Sequence, residues 1–138
     1  IDQIVKETNI LESLVLFFKL GDNVYRTQIK VEATWIALNL ALGTSQTVEK
    51  LCSDKYRIFQ HVSNQLEQGS EDILLNSLWF MGNIVSESYQ CAAYVLANSN
   101  TLACLERLSK VPIGQVQENL AEIASWVVMS VLKKITSY

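Results

Sequence analysis

The amino-acid sequence predicts an all-α chain, folded as a right-handed α-solenoid of about three stacked helical repeats. Composition is the first reason. Of 138 residues, 49% are hydrophobic and 18% charged, with one proline and five glycines. That balance folds, and it favours helices over turn-rich β structure. The second reason is a recurrence: Trp35, Trp79 and Trp126 stand 44 residues (79 − 35) and 47 residues (126 − 79) apart. The third is that the text around them repeats. Trp35-Ile36-Ala37-Leu38-Asn39-Leu40 returns as Trp79-Phe80-Met81-Gly82-Asn83-Ile84, and then, with the asparagine lost, as Trp126-Val127-Val128-Met129-Ser130-Val131.

A period in the mid-forties fits armadillo or HEAT units and is too long for a 34-residue tetratricopeptide unit. The units fall at about 1–43, 44–88 and 89–138, within one domain spanning 1–138. In the first, Asp2 to Glu7 reads as a short helix. A second runs from about Leu11 to Leu20, with Gly21 as its C-cap, and a third from about Arg26 to Leu42, stopped at Gly43. The second unit repeats the plan with Thr47 to Cys52, Tyr56 to Gln68 ending at Gly69, and Glu71 to Ser86. Ser70 before Glu71 and Asp72 reads as a capped, acidic helix start. In the third, Gln90 to Ala97 and Leu102 to Lys110 precede a break at Pro112 and Gly114, and a last helix spans about Val116 to Ile135.

The long helices carry apolar residues around much of their circumference. Ile36, Ala37, Leu40 and Ala41 share a side of the first; Leu74, Leu75, Leu78 and Gly82 share a side of the second. Such helices need neighbours, and stacking provides them. Ala37 and Gly82 are small where helices have to approach closely.

The formal net charge of −3 argues against nucleic acid, which calls for a basic surface. The longest apolar run, Leu14 to Phe18, is far too short for the ~20 residues of a membrane span. No secretory leader is visible at Ile1-Asp2-Gln3. Cytoplasm and nucleus are therefore the expected locations, and the lack of an initiator Met suggests a fragment or a processed chain. Cys52, Cys91 and Cys104 are odd in number and show no CxxC spacing, so neither a disulfide framework nor a zinc site is expected. They read as small hydrophobes in a reducing compartment. His61, the one histidine, reads as a surface residue. No phosphate loop, HExxH or GxSxG is present, so neither an enzyme nor a cofactor is expected. Lys133-Lys134 reads as a charge pair suited to a helix C-terminus.

With those residues in view, the chain resembles importin alpha, the armadillo adaptor for nuclear localisation signals. Glu32-Ala33-Thr34-Trp35, Asn39 and Gly43-Thr44-Ser45 follow the family's Glu-Ala-Ala-Trp…Asn…Gly-Thr-Ser pattern. Trp79 to Ile84 follows its Trp-Ala-Leu-Gly-Asn-Ile, and Glu87-Ser88, Cys91 and Tyr94-Val95-Leu96 keep its spacing into the next repeat. There are departures. The family's Gly-Ala-Ile-Pro joint is replaced by Asn9-Ile10, by Asp54-Lys55-Tyr56 and by Asn98-Ser99-Asn100. The stretch after Gly43 is one residue shorter. Ser130 stands for asparagine, and Ile123 for a polar residue. The basic segment that meets importin beta is missing, and family members carry about ten repeats. The resemblance implies a protein-transport role in nuclear import, with a Lys/Arg-rich extended peptide as ligand. By the same resemblance, Glu87 takes the place of the acid that meets a key lysine, and Thr47 that of a threonine beside it.

The residues themselves support such chemistry. Side chains three and four apart share a helix face, so Glu32, Trp35 and Asn39 align, as do Asn76, Trp79, Asn83 and Glu87, and Glu122, Trp126 and Ser130. Third helices ~10 Å apart and a peptide rising ~3.3 Å per residue would leave slots between indoles about three peptide residues apart. Each slot suits a Lys or Arg stem, with cation–π attraction of roughly 0.5–2 kcal/mol. An Asn amide can pair with both a peptide N–H and its C=O. The expected peptide-binding set is Trp35, Asn39, Asn76, Trp79, Asn83, Glu87, Trp126 and Ser130. The competing expectation is a structural subunit, meeting other subunits through the apolar ends of a short stack.

Overall fold

A computed structural model describes residues 1–20, 24–67, 70–110 and 118–137. Among them there is no strand, and the helices fall into three successive triplets. The first is α1 (Asp2–Glu7), α2 (Ile10–Phe18) and α3 (Val24–Leu40). The second is α4 (Ser45–Cys52), α5 (Ile58–Asn64) and α6 (Glu71–Glu87). The third is α7 (Tyr89–Ala97), α8 (Ser99–Ser109) and α9 (Glu118–Thr136). The long third helices stack in chain order, α3 on α6 and α6 on α9, with the shorter helices packed behind them. The architecture is an all-α armadillo solenoid.

Local chemistry sets most of the boundaries. The Ser70 hydroxyl accepts the Ile73 amide (3.4 Å) and begins α6, as the sequence suggests. Ser88 does the same for α7 through the Cys91 amide (3.2 Å). Helix α3 ends at Leu40, before the expected Leu42. Its last turn tightens into bonds from the Leu42 amide to Asn39 O (3.2 Å) and from the Gly43 amide to Leu40 O (3.0 Å), a short-range pattern frequent at helix ends. Helix α8 begins three residues before the expected Leu102. There the Asn98 side chain accepts the Thr101 amide (3.0 Å), so Asn98-Ser99-Asn100 is a cap and first turn rather than a joint. Before α5, Arg57 adopts a left-handed φ of 55°. This delays the helix to Ile58, and the conformation is one that glycine adopts without a Cβ penalty. The expected caps at Gly21 and Gly69, and the break at Pro112 and Gly114, lie outside the described residues.

The core runs continuously through all three triplets and includes Leu14, Ala37, Leu51, Ile58, Phe59, Leu78, Phe80, Ile84, Leu105, Leu120 and Val127. Ala37 and Gly82 are buried, as close approach of the long helices requires. One polar link crosses this interior. The Gln65 amide nitrogen donates to Thr34 Oγ1 and to Ser77 Oγ, each at 3.0 Å, and so joins the end of α5 to both α3 and α6. His61 is half-buried and stacked on Phe18, with ring centroids 5.8 Å apart and 8° between planes; it is not the surface residue expected.

The cysteines also depart from expectation. Cys52 and Cys91 form a disulfide that ties α4 to α7, across 39 residues of sequence, while Cys104 is free and buried. Neither partner sits in a recognisable motif. Their pairing is a product of stacking, which sets the end of one triplet's first helix beside the start of the next.

Candidate functional site

Tryptophan is large and apolar, and leaving it half in water forfeits much of its burial energy. Trp35 is 53% exposed on α3 and Trp79 45% exposed on α6. Between these helices lies a groove of about 340 Å³ lined by Val31, Glu32, Trp35, Asp72, Leu75 and Asn76. Glu32 and Asp72 face it from opposite helices, so it offers an indole wall with two carboxylates. Neither carboxylate makes an ion pair among the described residues.

The next groove, between α6 and α9, encloses about 670 Å³ and is lined by Leu75, Trp79, Asn119, Glu122, Ile123 and Trp126. Its geometry differs from the regular ladder of indoles expected. The rings of Trp79 and Trp126 touch, with centroids 5.2 Å apart and planes tilted by 53°. The six-membered ring of Trp126 lies over Gly82, so closely that a Cβ there would collide with it. The space between these two indoles is thus filled by the indoles themselves, and a side chain entering this groove meets their edges beside Glu122.

Each asparagine is partly engaged. Asn39 Nδ2 donates to the Trp35 carbonyl of its own helix (2.8 Å). Asn76 and Asn83 reach across to α3, donating to the carbonyls of Val31 (3.4 Å) and Leu38 (3.2 Å). The Oδ1 of each takes no donor among the described residues, so each amide keeps an acceptor but has committed a donor. Each Nδ2 still carries a second N–H, so every amide retains one donor beside its acceptor for the two-point grip expected on a peptide.

Glu87, the last residue of α6, accepts the Ser45 hydroxyl (2.9 Å) and remains exposed. Thr47 is buried, and its hydroxyl donates to Asp2 Oδ1 (2.5 Å). The same carboxylate oxygen takes the Thr44 amide and hydroxyl (3.3 and 3.1 Å). These bonds, Thr47 foremost, lower the Asp2 pKa below its ordinary 3.8. Thr47 therefore seals the joint between α1 and α4 and does not line the groove. Ser130 is nearly buried, on the rim of another cavity of about 670 Å³ with Ser86, Trp126, Lys133, Lys134, Thr136 and Ser137.

The structure thus brings Trp35 together with Asn76, and Trp79 with Trp126, while Ser130 faces a second cavity that shares Trp126 as a wall. Asp72 and Asn119 are lining residues that sequence reasoning overlooked. Each had a periodic signal: Asp72 lies four residues before Asn76, and Asn119 seven before Trp126, on the same helix faces. Among the described residues no cluster of three His, Cys, Asp or Glu is placed to hold a metal, and no helix is long and apolar enough to cross a membrane.

No family model matches the chain. It is similar to importin subunit alpha-1b of Oryza sativa subsp. japonica, 28% identical over 107 residues, covering 77% of this chain and 19% of that protein. Importin subunit alpha-6 of Arabidopsis thaliana is 28% identical over 94 residues, covering 67% and 16%. Importin subunit alpha-5 of the same plant is 24% identical over 108 residues, covering 78% and 20%. The chain spans about a fifth of the length of these relatives. Taken with the helical stack, these similarities establish a divergent relationship to the importin alpha family of armadillo proteins.

Proposed function

We propose that this chain is a protein-binding module whose Trp/Asn face takes an extended, Lys/Arg-rich peptide of the nuclear-localisation-signal type. The observation that carries the reading is the pair of half-exposed tryptophans, Trp35 and Trp79, beside a groove that holds Glu32 and Asp72. Exposed indoles next to carboxylates without an ion-pair partner among the described residues (Glu32 takes only the Gln28 amide, at 3.1 Å) attract a cation on an aliphatic stem, by cation–π contact and by charge. Asn39, Asn76 and Asn83 present acceptors to the peptide N–H groups, and Glu87 meets a lysine. The contact at Trp126 and Ser130 is peripheral in this reading. Similarity to importin alpha subunits supports a protein partner and an operating place in cytoplasm and nucleus.

Titration of a lysine-rich peptide, followed by tryptophan fluorescence, tests the proposal. A micromolar Kd is expected, with roughly tenfold weaker binding in Trp35→Ala, since one cation–π contact amounts to about 0.5–2 kcal/mol. Absence of binding, or identical binding in Trp35→Ala and Trp79→Ala, would overturn it. A second reading, a subunit that docks through the ends of the stack, is favoured by Leu16 and Phe17 on α2 and by Met129 and Leu132 on α9, all exposed. Sedimentation of the isolated chain as a monomer at high concentration would remove its support.

A further inference from the structure

The groove carries its charge unevenly, and this bears on the ligand. Counting from the tryptophans, Glu87 lies eight residues after Trp79 and Lys134 eight residues after Trp126. Equivalent positions of successive units therefore hold opposite charges. Lys133 and Lys134 line one cavity of about 670 Å³ with Ser86, Trp126, Ser130, Thr136 and Ser137. The cavity combines two cations with four hydroxyls and contains no carboxylate. Among the described residues neither lysine is paired with an acid. The acidic groups lie elsewhere on the face: Glu32 and Asp72 between α3 and α6, Glu122 beside Trp79, and Glu87 held by the Ser45 hydroxyl at the start of α4. Trp126 lines both the Glu122 groove and the lysine cavity, so the two surfaces are continuous.

Building on the peptide-binding reading, we propose that the ligand is bipolar. Its basic residues lie over Trp35, Trp79 and their carboxylates, and an anionic side chain, carboxylate or phosphate, enters the cavity of Lys133 and Lys134. Two ammonium groups and the hydroxyls of Ser86 and Ser130 supply the donors that an anion's oxygens require. The carbonyl end of α9 offsets part of the lysine charge, about half an elementary charge against two. Neighbouring long helices lie about 8–10 Å apart, so the anion falls about three extended residues from the lysine that meets Glu87. The pairing also excludes wrong ligands: an uninterrupted basic segment would set a cation against Lys133 and Lys134.

The test uses the full chain and lysine-rich peptides that carry Glu, phosphoserine or Ala three residues beyond the basic cluster, on either flank. At low salt the Glu peptide is expected to bind about three- to fivefold more tightly than the Ala peptide, the scale of an exposed ion pair. The phosphoserine peptide, with nearly twice the charge, should gain about tenfold. In Lys133→Gln/Lys134→Gln both gains should vanish while the Ala peptide keeps its affinity, with unchanged helicity by circular dichroism. Equal binding of all peptides to the unmodified chain would overturn bipolar recognition and leave the peptide groove standing. So would a preference that persists in the double variant. If no peptide binds, both readings fall. A gain for Glu and phosphoserine alike identifies a generic anion site, and a gain for phosphoserine alone identifies a phosphate site.

Discussion

His61, on α5, is half-buried against α2. Its ring lies flat on Phe18, and burial lowers its pKa below the ordinary 6.5, with Lys19, Arg57 and Lys30 adding repulsion. The folded chain therefore takes up this proton less readily than the unfolded one. Stability is full above pH 6.5 and declines as pH falls from there through the depressed folded value, levelling below it. Urea midpoints measured from pH 7.5 to 5 should show this slope, and His61→Phe, which keeps the stacking and cannot protonate, should flatten it. Asp2 has the opposite chemistry. Its contribution is present above about pH 3.8 and is lost as pH falls through its lowered folded value, so the two windows separate. Neither environment was legible in the sequence. His61 carries no motif, and its partner Phe18 is 43 residues away on another helix; the bonds from Thr44 and Thr47 to Asp2 likewise join distant segments.

At the scale of helices, the packing of α9 on α6 rests on a single missing side chain. Gly82 admits the six-membered ring of Trp126, which then meets Trp79. Gly82→Ala gains intrinsic helix propensity of about 1 kcal/mol, yet it forces the half-buried Trp126 indole aside, and overpacking of this kind costs about 1–3 kcal/mol. The expected balance is a net loss of about 1 kcal/mol in urea denaturation, together with a red-shifted tryptophan emission as Trp126 moves toward water. Unchanged stability and emission would show that the ring can be accommodated elsewhere. The sequence made Gly82 legible as a point of close approach, and it made Ser70 legible as a cap. It did not disclose what approaches Gly82, because Trp126 shares its repeat position with Trp35 and Trp79 and was expected to stand apart from them. The start of α8 was legible in principle: Asn98 is a good N-cap residue two positions before Asn100 and three before Thr101, whose amide it accepts.

For the molecule as a whole, the repeated text and its caps anticipated the order of helices among the described residues, while the covalent link between triplets depended on three-dimensional proximity alone. The Cys52–Cys91 disulfide closes 39 residues of chain, and a loop of that size restricts the unfolded ensemble by about 2–4 kcal/mol. Adding a reductant should lower the denaturation midpoint accordingly. A Cys52→Ser/Cys91→Ser variant should match the reduced chain and no longer respond. Beneath that covalent tie lies the pair of amides sent from α6 to α3. Asn76 and Asn83 are seven residues apart, and so are the carbonyls they reach, on Val31 and Leu38. Two turns of one helix are thereby gauged against two turns of the next, in the manner of a vernier. A slide of one residue, about 1.5 Å along the axis, takes both amides off their marks together. A peptide bound as proposed would therefore meet a ruler whose graduations are set before it arrives.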